Sequence, residues 1–123
     1  DRLEKVAAQA RKAGATEVHF YELDVSKTSS VEAFVAWARG KIGARKSKSS
    51  GLHVLINNAG GALGLEPVSE GRDEDWETML QTNVLGVLRM TRAALPLIPH
   101  HTGATIINIG SYAGRAVYEG GAA

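Results

Sequence analysis

Asn57 and Asn58 end a short apolar run and pass directly into Ala59 and Gly60. Each amide carries donors and an acceptor that need partners when buried, and neighbouring strand ends or a polar ligand can supply them. The small residues that follow leave the backbone open to close approach. Three more positions have side chains suited to binding or proton transfer. Asp24 closes the run EVHFYELDV, where its carboxylate can cap the next turn or accept a hydrogen bond from a ligand. Asn83 stands on the same helical face as Trp76, Met79, Leu80 and Val87, the apolar and inward one. A buried amide left unpaired there costs roughly 1–3 kcal/mol, and a kink satisfied by a water or a neighbouring carbonyl is one answer to that need. Ser111 follows a β-branched run, and its hydroxyl can form a turn or meet a substrate. The four histidines, His19, His53, His100 and His101, have no metal-ligand spacing, so no metal is expected.

These residues must be carried to one place by strands and helices. Residues 51–60 read as a buried parallel strand opening at its carboxyl edge, where open α/β sheets place their ligands. Ahead of it, Leu3, Val6, Ala7 and Ala10 follow a helical stripe that Gly14 ends in a left-handed cap. Residues 17–25, β-branched and aromatic, read as a strand covered on both faces. Ser29 and Glu32 form a capping box before a helix with Val31, Phe34, Val35, Ala38 and Ile42 on one face, and residues 43–51 form a loop. Beyond the central strand, residues 60–72 read as an irregular segment over the cleft. Asp73, with Glu74 and Asp75, caps a long helix to about Leu95, whose inward set includes Trp76, Met79, Leu80, Val84, Val87, Leu88 and Leu95; Pro96 and Pro99 end or kink it. Residues 104–110 read as another strand, which brings Ser111 to the same sheet edge as Gly60, and residues 111–123 as loop. Alternating strands and helices specify a doubly wound α/β parallel sheet with right-handed crossovers.

The 123 residues are of single-domain size, and 44% hydrophobic with 22% charged is ordinary for a globular chain. A net charge of +1 gives no basis for attraction to nucleic acid or membrane, and the basic cluster Arg45-Lys46-Ser47-Lys48 lies in a polar loop. The absence of cysteine excludes a disulfide framework and thiolate chemistry, and is compatible with the cytosol. No apolar run approaches the roughly 18 residues of a membrane span, and the start is unlike a signal peptide. A first residue other than Met suggests an internal piece of a longer chain.

Asn57-Asn58-Ala59-Gly60 resembles the Asn-Asn-Ala-Gly motif of the short-chain dehydrogenase/reductase family. It is joined in order by Leu23-Asp24-Val25 before it and by Asn83 and Ile106-Ile107-Asn108-Ile109-Gly110-Ser111 after it, so the resemblance covers essentially the whole chain. It implies the central portion of a Rossmann-type doubly wound parallel sheet: residues 1–123 as one partial dinucleotide-binding domain, truncated at both ends, holding the third, fourth and fifth strands. The two strands that belong between the first pair would leave a gap about 14 Å wide at about 4.8 Å per strand. The isolated polypeptide is therefore expected to be inactive and to lack a cooperative unfolding transition.

The resemblance also implies roles. Asp24 and Val25 would contact the adenine ring of the cofactor, Asn57 would brace the sheet, and Asn58, Ala59 and Gly60 would approach the cofactor ribose. Asn83, with Gly86 in an Asn-x-x-Gly setting, would hold a water of a proton relay, and Ser111 would be the catalytic serine that hydrogen-bonds the substrate oxygen. Neither Tyr112 nor Tyr118 is followed four residues later by lysine, so the relay's Tyr-x-x-x-Lys pair is expected to begin immediately after Ala123. The glycine-rich phosphate loop would precede Asp1. Gly61 to Pro67 and Asp75 to Met79 look like the 3-hydroxy acid dehydrogenase branch, which acts on serine, allo-threonine and related compounds with NADP. What is implied is a cytoplasmic, NAD(P)-dependent oxidoreductase moving hydride between nicotinamide and a secondary alcohol or ketone. NADP is the implied cofactor and NAD its alternative; no metal, nucleic acid or membrane is implied. A homodimer or homotetramer would form through the long helix, whose Leu85, Met90 and Ala93 widen the apolar arc. A nucleotide-binding relative without catalysis, or an inactive fragment, is the other reading.

Overall fold

The computed structural model describes residues 2–43, 50–99 and 103–116; Tyr118, His100, His101 and the basic cluster lie outside them. The first helix, α1 (Arg2–Lys12), ends as its sequence requires. Gly14 takes φ +102°, Ala15 N–H bonds to Ala10 O and Gly14 N–H to Arg11 O, each at 3.0 Å, which is the paired arrangement of a Schellman cap.

Residues 17–25 correct the expectation of a strand covered on both faces. They pair with no described strand, and Phe20 and Tyr21 are exposed. Their residue types suit a strand, but a strand exists only through ladder bonds to a neighbour. The aromatic surface finds a helix instead: Tyr21 lies against Phe34 and Trp37 of α2 (Thr28–Gly43), with ring centroids 6.4 and 5.1 Å apart. The capping box also needs correction. α2 opens at Thr28, with Val31 N–H bonded to Lys27 O, so Ser29 lies inside the first turn. Ser30 ties that turn to the preceding segment, its Oγ accepting from Asp24 N–H at 2.9 Å.

The sheet consists of β1 (Val54–Asn57) and β2 (Thr105–Asn108), parallel and paired from Val54↔Thr105 to Asn57↔Asn108. Thr105 N–H to His53 O and Ile109 N–H to Asn57 O, both 2.9 Å, extend the ladder at each end. In β1 the pleat turns Leu55 and Asn57 inward while Val54 and Ile56 stay exposed. Residues 60–72 are irregular, as their glycine and proline content predicts.

The long helix is present but divided. It runs as α3 (Asp73–Met79), a π-helical turn (Leu80–Val84), α4 (Leu85–Ala94) and a 3-10 turn (Leu95–Leu97) that contains Pro96. Arg72, not Asp73, occupies the N-cap and makes no side-chain cap bond; the three acids fall in the first turn, where they face the positive end of the helix dipole. A π turn inserts one residue, equivalent to about 100° of rotation. The expected inward set needs correction. Leu80, Val84, Leu88 and Leu95 are all more than half exposed, whereas Gly86, Met90 and Ala94 are buried. Met90, expected on an outer arc, belongs to the core.

That core joins Val25, Val31, Val35, Leu55, Met90 and Ala94, so α2 and α4 cover one face of the sheet. Each large aliphatic side chain so buried contributes about 1.5–3 kcal/mol relative to exposure. Packing is tight at Gly86, where a Cβ would come within 2.8 Å of Val25 Cγ2. No helix among the described residues is long and apolar enough to cross a membrane.

Candidate functional site

The carboxyl end of β1 is built around Asn57. Its Nδ2 donates to Thr91 Oγ1 on α4 at 3.1 Å and to Asn108 Oδ1 on β2 at 2.8 Å, so both amide protons are spent on joining helix and strands. With only 7% of its surface exposed, this is the buried polar group of the described core, and it is satisfied.

Four residues on, the loop meets the π turn. Asn83 Nδ2 donates to Gly61 O at 2.9 Å and Asn83 Oδ1 accepts from Gly61 N–H at 3.1 Å, a reciprocal clasp of one side-chain amide on the backbone of one residue. The second Nδ2 proton reaches Met79 Sδ at 3.5 Å. A neighbouring carbonyl therefore answers Asn83's need for a partner. Gly60 must stay small for a local reason: a Cβ there would come within 2.8 Å of Asn83 Oδ1. The turn that carries Asn83 is itself held from outside. Leu85 N–H bonds to Leu80 O, and Gln81 O accepts instead from Arg89 Nη1 at 3.0 Å.

Across the sheet edge, Ser111 follows β2 in extended conformation (φ −122°, ψ 157°) and starts a 3-10 turn (Tyr112–Gly114). Its Oγ accepts from Ala113 N–H at 3.2 Å, the turn-forming role. One acceptor site is used; the hydroxyl proton and a second lone pair remain. Tyr112 is 76% exposed.

Asn58, Ala59, Gly60, Asn83 and Ser111 line one open cleft of about 610 Å³, together with Gly61, Ala62 and Gly110. Val25 lies apart from it, in an apolar hollow that it shares with Leu55, Gly86 and Met90 and that meets the cleft along residues 57–59. Asp24 lines neither. Its Oδ1 accepts from Ser26 Oγ at 2.6 Å and from Ser26 N–H at 3.0 Å, and its Oδ2 pairs with Lys27 Nζ at 3.0 Å. The Ser26 hydroxyl first, then Lys27 and the Ser26 N–H, pull its carboxyl down to about 2. In this structure Asp24 caps the turn before α2.

Sequence reasoning missed Thr91, Asn108, Gly61, Gln81 and Arg89. The unmet donors of Asn57 signalled that partners existed, but not which residues they were; the spacing of Gln81 and Arg89 carries no helical signal. The cleft floor is made of small residues, so a flat or extended ligand can lie against backbone there.

A family profile described as short chain dehydrogenase matches residues 1–123. The NADP-dependent 3-hydroxy acid dehydrogenase YdfG of Shigella flexneri is 40% identical over 104 residues, which is 85% of this chain and 39% of that protein. Sulfoacetaldehyde reductase of Chromohalobacter salexigens is 39% identical over 121 residues, 97% of this chain and 45% of that protein. A solved structure, the closed form of serine dehydrogenase complexed with NADP+, superposes with a TM-score of 0.71 at 34% identity and covers 96% of this chain and 45% of that one. The chain spans less than half the length of each.

Proposed function

Given that this chain belongs to the short-chain dehydrogenase family, we propose that it is the central part of an NADP-dependent oxidoreductase that interconverts a secondary alcohol and a ketone, with a 3-hydroxy acid as substrate. The observation that carries this reading is the cleft itself, which gathers Asn58, Ala59, Gly60, Asn83 and Ser111 from three separate segments onto one sheet edge. Relatives named for NADP, for 3-hydroxy acids and for sulfoacetaldehyde support the cofactor and a small anionic carbonyl or alcohol as the substrate class.

The residues present fit a dinucleotide. Ala59, Gly60 and Gly61 offer bare backbone at the mouth of β1, and Val25 brings the end of residues 17–25 to the hollow that adjoins them. When bound, the nicotinamide supplies the hydride acceptor or donor. Ser111 keeps its hydroxyl proton available and donates it to the substrate oxygen, fixing that oxygen and stabilising charge that develops on it. Asn83, with its side chain clasped to Gly61, holds its own turn of helix at a fixed distance from the cleft floor, where a relay water can be kept. Tyrosine and lysine of the proton-transfer pair follow Ala123 in this reading, which explains why Tyr112 lacks a lysine partner. We also infer a cytoplasmic homodimer or homotetramer, with the exposed apolar ridge Leu80, Val84, Leu88 and Leu95 as its contact. Sedimentation of the full-length protein as a monomer at micromolar concentration counts against that contact.

The test is an absorbance assay of nicotinamide reduction by the full-length protein, given NADP+ and a series of 3-hydroxy acids that includes serine. Turnover with at least one of them is expected. No turnover across the series, with no NADP binding in a fluorescence titration, rejects the reading.

A further inference from the structure

We infer that Arg89 is a positioning residue for Asn83, acting through the π-helical turn between α3 and α4; the inference rests on the dehydrogenase reading above. In an α-helix the N–H of Leu85 would bond to Gln81 O, but here it reaches Leu80 O, five residues back, and Gln81 O is left without that partner. Arg89 supplies the replacement. Its Nη1 donates to Gln81 O at 3.0 Å and its Nη2 to Gln81 Oε1 at 2.6 Å, so one planar guanidinium grips both the backbone and the side chain of the same residue.

What makes this grip matter is where its two ends are anchored. Arg89 rises from α4, which is fixed to the rest of the protein by Thr91 bonded to Asn57 and by Gly86 packed against Val25. Gln81 belongs to the turn that carries Asn83, and Asn83 is the residue that clasps Gly61 at the cleft. Return of the turn to α register restores the Gln81 carbonyl to Leu85 and rotates α3 and Asn83 by about 100° relative to the anchored α4. Such a rotation cannot keep both bonds between Asn83 and Gly61. The guanidinium therefore stabilises the register that aims Asn83, although Arg89 itself lines a different groove, between α2 and α4.

The experiment compares full-length wild type, Arg89→Met and Arg89→Lys by crystal structure, steady-state kinetics, NADP titration and thermal unfolding. In Arg89→Met the Leu85 N–H is expected on Gln81 O and Asn83 free of Gly61, with kcat reduced about tenfold while the NADP dissociation constant stays within about twofold. Arg89→Lys, which keeps one donor for the carbonyl, should fall between. A π turn and an Asn83–Gly61 clasp that survive intact in Arg89→Met overturn the inference, as does a parallel fall in NADP affinity, kcat and unfolding temperature, which marks a merely structural residue. Should Arg89→Met not fold, Gln81→Ala, which removes the shorter of the two contacts, is judged by the same measures. If the wild-type protein turns over nothing, the dehydrogenase reading fails, and the crystal structures alone decide whether Arg89 sets the turn.

Discussion

The two strands are register partners, yet their carboxyl ends are held in opposite ways. Beyond β1, Asn57 is bonded to α4 and β2, and Asn83 clasps Gly61 from the π turn. Beyond β2, the Ser111 side chain is tied to its own turn through Ala113 N–H, and the residue is exposed. A polar group whose donors are all engaged can shape a site but has little left to offer a ligand, whereas Ser111 retains a free hydroxyl proton. One end is occupied in support, and the other keeps a hydroxyl turned to no structural task beyond its own turn.

That contrast can be broken by a pair of substitutions in the full-length protein. Ser111→Ala should lower kcat about 10²-fold or more, equivalent to about 2.7 kcal/mol of transition-state stabilisation, with a change in folding stability below about 0.5 kcal/mol by urea denaturation. Asn57→Leu should do the reverse. It strands Thr91 and Asn108 without their donor and costs about 2 kcal/mol of stability, with a smaller loss of kcat than Ser111→Ala. Equal losses of activity and stability in both variants would mean that the two ends do not differ as described. Gly60→Ala sharpens the point at the β1 end: its methyl group displaces Asn83 Oδ1, and a cost of about 1 kcal/mol with weaker NADP binding by titration is expected.

The smallest effect is expected at Asp24, away from both ends. Folding lowers its carboxyl from 3.8 to about 2, so the folded state favours the ionised form. Its contribution is full above pH 3.8 and is lost as the pH falls through about 2. Thermal unfolding midpoints measured across that window should fall less steeply in Asp24→Asn than in wild type.

Much of this was legible because it is local. Gly14 caps α1 through its own dihedral preference, Pro96 ends the long helix through its missing N–H, and the passage from the apolar run into Asn57 and Gly60 marks the sheet edge. What escaped depends on partners far along the chain. Residues 17–25 have strand composition, but pairing is not a property of composition, and Tyr21 settles on Phe34 and Trp37 instead. The π turn left no mark in the apolar pattern, because an extra residue in a helix alters phase without altering residue type, and the leucine spacing alone did not tell the covered face of the helix from the exposed one. At the site, the need of Asn83 for a partner was readable from its position, while the identity of that partner, Gly61, required the loop to be folded back.

The bond between Asn57 and Thr91 also bears on how the chain reaches this structure. The paired strand ends Asn57 and Asn108 are separated by 51 residues, and a parallel pair cannot form until its crossover is in place. Once α4 docks and Asn57 reaches Thr91, 34 residues on, only 17 remain to be closed before β2 arrives. Closure entropy grows with the logarithm of loop length, so that last step costs about 1 kcal/mol less than closing the whole span at once. The amide that joins helix to strand in the finished protein thus divides one slow search into two shorter ones, and Asn57→Leu should show part of its loss as slower refolding.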